Sequence, residues 1–186
     1  MSNFVYFEPP TATTNLFGGA ITALLPPGIV DASLFRQIPD NQEIFLYPNS
    51  SISIVVEILQ RAEPNDLCEA VKFHFDSLAQ DNSAQMSSVS EVTILESTGD
   101  NTPSPVILHG RQLVSKFNQV NADDVRILMA LYRVETKGVD VMLTMNVPVT
   151  AASDSGAVGE EGFNAVKGDF ESVARSLRIV DVGLFV

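Results

Sequence analysis

The chain has 186 residues, 45% of them apolar and 18% charged, with a formal net charge of −12. That balance excludes a disordered chain and weighs against nucleic acid and anionic membranes as partners, because an acidic protein is repelled by their charge. The single Cys68 excludes an intrachain disulfide, and no apolar stretch reaches the roughly 18 residues of a membrane helix, so a soluble intracellular protein is expected.

Met1 to Asn15 carries Pro9-Pro10 and a Thr-rich run, with no basic segment leading into an apolar one. It reads as an extended N-terminal arm (residues 1–15) docked through Phe4, Tyr6 and Phe7, ahead of a single domain over 16–186. Leu16 to Glu43 is the most tightly punctuated stretch. Gly18-Gly19 makes a turn, Ala20–Leu25 suits a short buried strand, and Pro26-Pro27-Gly28 ends it. Asp31 stands where an N-cap belongs, ahead of a short helix over Ala32–Gln37 with Leu34 and Phe35 available for packing. Pro39 biases Ile38 away from helix and stops it.

Glu43–Tyr47 and Ile52–Gln60 follow as strands. The second is apolar on both registers and so predicts cover on both faces, with Glu57 set uncomfortably in its middle. Pro64–Gln80 is an amphipathic helix: Leu67, Val71, His74 and Leu78 form one stripe, with Ala70 and Phe75 beside it. Val89–Glu96 reads as a strand, Ser97–Pro105 as a loop, and Val106–Phe117 as a strand interrupted at Gly110.

Val125–Glu135 and Val139–Val147 predict a hairpin across Thr136-Lys137-Gly138. Ile127, Met129 and Leu131 point to one face and Leu128, Ala130 and Tyr132 to the other. After a small-residue loop over 150–159 comes a helix over Glu161–Leu177, then a closing strand over Ile179–Val186. The sum is an α+β fold: an antiparallel sheet of about six or more strands between helices.

Enzyme templates fail in turn. The chain has no Walker-type loop, no nucleophile elbow and no clustered metal ligands, and His74 and His109 stand far apart. His74 fits a hydrogen-bonded boundary histidine, and Cys68 a packing residue with no cation to activate it. No cofactor is expected. What remains is acidic: Asp31, Asp40, Glu43 and Glu57. Capping explains Asp31, and loop or edge positions explain Asp40 and Glu43, whereas a carboxylate kept in a strand at a cost points to a site. From the residues alone, an acidic binding face and plain structural acids both stay open.

FGGAITALLPPGIVDASLFRQIPDNQEIF resembles the signature region of the Mog-one family, the Ran guanine-nucleotide release factors. The likeness continues through SISIVVEIL, EAVKFHFDSL, VRILMALYRVETKGVDVMLTMNVPV and the ending IVDVGLF. It implies a PsbP-like fold, with an antiparallel sheet between helices. It further implies binding to the small GTPase Ran, promotion of nucleotide release, no catalysis of its own, and a setting in nucleocytoplasmic transport. The nucleus is the expected location, with some cytoplasmic presence, and the chain is expected to be a monomer when free. Carried over by position, the partner surface comprises Asp31, Arg36, Asp40, Glu43 and Glu57. Relatives commonly carry an acid three places after the strand glutamate, where this chain has Gln60. Two competing readings remain. One is a hydrolase or isomerase using paired carboxylates such as Asp31 and Glu57 as acid and base, which predicts a pocket in which one carboxylate has a raised pKa. The other is a PsbP-like scaffold for a different basic protein partner.

Overall fold

The structure, a computed structural model, describes residues 13–97, 101–115, 121–151 and 156–186. The contacts expected of Phe4, Tyr6 and Phe7 lie outside these residues, as do Phe117 and parts of the 97–105 and 150–159 loops. In chain order the strands and helices are β1 (Thr14–Leu16), β2 (Ile21–Ala23), β3 (Val30–Asp31), β4 (Gln42–Leu46), β5 (Ser53–Gln60), α1 (Leu67–Asp81), β6 (Ala84–Ile94), β7 (Val106–Val114), β8 (Asp123–Val134), β9 (Val139–Thr150), α2 (Gly159–Ser176) and β10 (Arg178–Ile179).

Seven strands form one antiparallel sheet in the order β3-β4-β5-β9-β8-β7-β6. Its centre is the β8–β9 hairpin, closed by Gly138 in the left-handed region at φ 63°. The alternation read in β8 holds. Leu128, Ala130 and Tyr132 pack with Val166, Phe170 and Val173 of α2, while Ile127, Met129 and Leu131 pack with Val71 and Phe75 of α1. A sheet buried on both faces needs apolar residues on both registers, and β8 supplies them. Each large side chain fully buried in this way contributes about 1.5–3 kcal/mol. On the α2 face a second sheet, β1-β2-β10, adds Leu16, Ile21 and Ile179 to the core. Thr14 and Asn15, read as the end of the arm, are already paired in β1.

Helix α1 starts at Leu67 rather than Pro64, because the Asp66 carboxylate accepts from the Glu69 N–H at 2.9 Å and sets the cap there. Strand β6 begins at Ala84, ahead of the expected Val89. It is an edge strand, largely exposed, so its polar start carries no apolar period to read. The closing strand ends at Ile179. Beyond it the Asp181 carboxylate takes the Gly183 N–H at 2.8 Å and builds a 3-10 turn over Val182–Leu184 in place of a ladder.

Gly110 does not interrupt β7, which runs straight through it. Glycine is required there by approach: an added Cβ would lie 2.5 Å from Cε2 of Phe75, a core ring 1% exposed, and 3.1 Å from the Ser88 carbonyl oxygen. Gly110→Ala should therefore cost about 1–3 kcal/mol through overpacking. The readout is a lower denaturant midpoint at unchanged slope. An unchanged midpoint would show that the Phe75 ring yields freely.

Candidate functional site

The residues singled out by sequence gather at one end of the seven-stranded sheet, but on two sides of it. Asp31 ends β3 with its carboxylate accepting from the Ser33 N–H at 2.8 Å, which caps a 3-10 turn over Ala32–Leu34 rather than a helix to Gln37. Ala32 is buried and tethers the turn, whereas Leu34 and Phe35, expected to pack, stand 73% and 74% exposed. Two N–H groups, of Phe35 and Arg36, close on the Ala32 carbonyl within 3.1 Å and fix the backbone beneath those side chains. Arg36 and Asp40 are exposed on the same connection.

Glu43 and Glu57 face opposite ways. Glu43 pairs with Val56 in the β4–β5 register and so shares the α2 face, while Gln42 pairs with Glu57 on the α1 face. Asp31 pairs with Phe45, which places it on the side of Glu43. The Glu43 carboxylate accepts the N–H of Phe17, whose φ of 49° is held at the Gly18-Gly19 turn. Burial pushes its pKa up, the Phe17 hydrogen bond works against that, and the nearby Asp31 charge raises it further. Glu43 thus anchors the turn that sequence read from the glycines.

Glu57 is half-buried and receives a 2.5 Å hydrogen bond from Gln42 Nε2. It lies in a groove of about 460 Å³ where α1, packed mainly on β6, β7 and β8, leaves β4 and β5 uncovered. Ile44, Val55, Leu59 and Met142 supply apolar surface, and Glu57, Gln60 and Asp81 are among the polar lining. No lysine or arginine lines the groove among the described residues. The strand carboxylate that looked costly is therefore at a groove wall beside a neutral amide. Such a site suits a cationic side chain with an aliphatic stem, the charge meeting Glu57 and the stem lying on the apolar surface.

The groove-lining His74 belongs to a network that sequence reading missed. Arg133 and Asp140 are direct cross-strand partners on β8 and β9, and the guanidinium meets the carboxylate through Nε at 2.8 Å and a terminal nitrogen at 2.9 Å. Asp140 also accepts from His74 Nε2 at 2.8 Å and from the Ala62 N–H at 2.9 Å, while Arg133 donates to the Pro64 carbonyl at 2.6 Å. Burial pushes the Asp140 pKa up, but the hydrogen bonds from Arg133, His74 and Ala62 outweigh it and hold the carboxyl well below its usual range. The network clamps α1, through the groove-lining His74, to the sheet. His74 is the hydrogen-bonded histidine that its place on the stripe implied. The signal for Arg133–Asp140 was present in the hairpin register, which pairs residues symmetrically about the turn.

Asp31 and Glu57, on opposite faces, do not share a pocket as an acid–base pair requires. Among the described residues no cluster of His, Cys, Asp and Glu is arranged to hold a metal, and no helix is long and apolar enough to cross a membrane.

The sequence model of a family described as "Ran-interacting Mog1 protein" matches residues 14–148. The chain is 35% identical over 178 residues to a Danio rerio protein named Ran guanine nucleotide release factor, covering 91% of this chain and 97% of the relative. It is 32% identical over 183 residues to the Homo sapiens protein of the same name, covering 95% and 97%. A Saccharomyces cerevisiae protein named nuclear import protein MOG1 is 30% identical, covering 91% and 83%. The 1.9 Å crystal structure of the Saccharomyces cerevisiae Ran-binding protein Mog1p superposes with a TM-score of 0.74 at 26% identity, covering 96% of this chain and all of that one.

Proposed function

Because the chain belongs to the Ran-interacting Mog1 protein family, we propose that it binds the small GTPase Ran and promotes release of its guanine nucleotide. It acts as a non-catalytic monomer in nuclear transport, chiefly in the nucleus. The observation that carries the site is Glu57, a strand carboxylate in a partly apolar groove whose hydrogen-bond partner, Gln42, brings no charge. Asp31, Arg36 and Asp40 extend the partner surface around the β3–β4 connection, and Glu43 supports it from behind through Phe17.

A GTPase holds its nucleotide with a P-loop lysine and Mg²⁺-organised switch segments. Carboxylates offered to basic groups of that machinery compete with the nucleotide phosphates for them. Linkage makes the effect reciprocal: by whatever factor the chain weakens GTP binding, GTP weakens binding of the chain. Immobilised chain should therefore retain Ran, and nucleotide-free Ran at least as well as the GTP-loaded form. Retention of neither form, with another basic protein captured instead, would replace this reading with that of a scaffold.

A further inference from the structure

We infer that Phe35, with Leu34, is the apolar anchor of the partner surface and inserts into an apolar recess on the GTPase bordered by basic side chains. The inference rests on the Ran reading and adds a contact of different chemistry from its carboxylates. These two consecutive large apolar residues are 73% and 74% exposed, more than Met86, Ile94 or Val180 elsewhere on the surface. Water contact at an adjacent pair of this size is unfavourable, and folding has not removed it.

Order in the turn is the second observation. The Asp31 cap, the buried Ala32 and two N–H groups closing on the Ala32 carbonyl hold the backbone beneath the two side chains. An aromatic presented on an ordered backbone loses little conformational entropy on binding. Its neighbours along the chain are charged: Asp31 ends the strand before the turn, and Arg36 and Asp40 are exposed on the connection after it, the pairing of apolar centre and polar rim that interfaces use. The rim carries two acids and one base on a chain of net charge −12, so the complementary surface is basic.

Topology brings the anchor to the Glu57 end of the sheet. The connection that bears it enters β4 at Gln42, the residue paired with Glu57, and Asn41 bonds Ile58 through both its backbone carbonyl and its side-chain amide. One partner can therefore engage the turn and the groove together.

The test is Phe35→Ser in the full chain, with Met86→Ser on the opposite edge strand as control, each assayed for Ran binding and for release of a fluorescent guanine nucleotide. Phe35→Ser should keep the native denaturant midpoint and weaken Ran binding about tenfold to a hundredfold, while Met86→Ser binds normally. Normal binding and release by Phe35→Ser, beside an active native chain, would overturn the anchor and leave the Ran reading standing. An inactive native chain would instead overturn the Ran reading. If native chain dimerises in sedimentation and Phe35→Ser abolishes that while leaving Ran binding intact, the patch is a self-association surface and the inference fails.

Discussion

Asp140→Ala should destabilise the protein by about 3–5 kcal/mol, the cost of leaving a buried charge without its partner. The Arg133 side chain is 1% exposed and that of Asp140 is fully buried, so water cannot replace the lost carboxylate without opening the structure. The same substitution strands the Ala62 N–H and the His74 ring, both of which donate to Asp140. Asp140→Asn keeps the shape and one acceptor and should lose less. Chemical denaturation reads both, and a loss under about 1 kcal/mol for Asp140→Ala would contradict a dry, fully paired cluster.

The pH dependence follows in sign. The folded pKa of Asp140 lies below its unfolded value, so its contribution is complete above the usual carboxylate range and drains away as pH falls through and below it. Glu43 and Asp169, the latter a carboxylate of α2 that accepts from the Tyr47 hydroxyl at 2.8 Å, are both raised first by burial, act in the opposite sense and favour the folded state as they protonate. Native protein and Asp140→Ala share those two groups. The difference between their stabilities should therefore shrink on acidification below about pH 5, and a difference that stayed constant would show that Asp140 is not the group responsible.

Glu57→Lys is the second large effect, and it falls on function. The side chain is half-buried at a groove wall, bonded to the neutral Gln42, and lies outside the Arg133–Asp140 cluster, so the fold should survive. At a desolvated interface the loss of such a carboxylate costs about 2–5 kcal/mol of binding, which is upwards of tenfold in affinity at 1.4 kcal/mol per decade. Nucleotide release from Ran should fall to its unassisted rate. Glu43→Gln gives the contrast: an amide oxygen can still accept the Phe17 N–H, so release should persist. A folded Glu57→Lys that releases nucleotide normally would remove Glu57 from the site.

Much of this architecture was legible because strand and helix periods leave clear marks. The two-sided apolar run of β8 predicts cover on both faces, and the Leu67–Leu78 stripe picks out the face of α1 that packs on the sheet. Most of the misreadings fall on elements whose side chains face water. The exposed start of β6 has no period, and at the C-terminus one local side-chain hydrogen bond diverts the chain from a strand.

The site divides the same way. Asp31 as a cap and Glu57 as the uneasy acid follow from single positions, whereas Gln42 beside Glu57 requires the β4–β5 register. That register also puts Glu43 and Glu57 on opposite faces, although sequence grouped them as one acidic surface. Leu34 and Phe35 read as packing residues because they are apolar. Their exposure depends on whether another element packs over the 3-10 turn, a tertiary fact with no composition signal.

Ran loaded with a fluorescent guanine nucleotide, mixed with excess unlabelled nucleotide and followed by stopped-flow with and without the native chain, decides whether the chain speeds nucleotide release. Faster loss of signal, rising with chain concentration and abolished by Glu57→Lys, is the expected result. Identical traces with and without the native chain would contradict it.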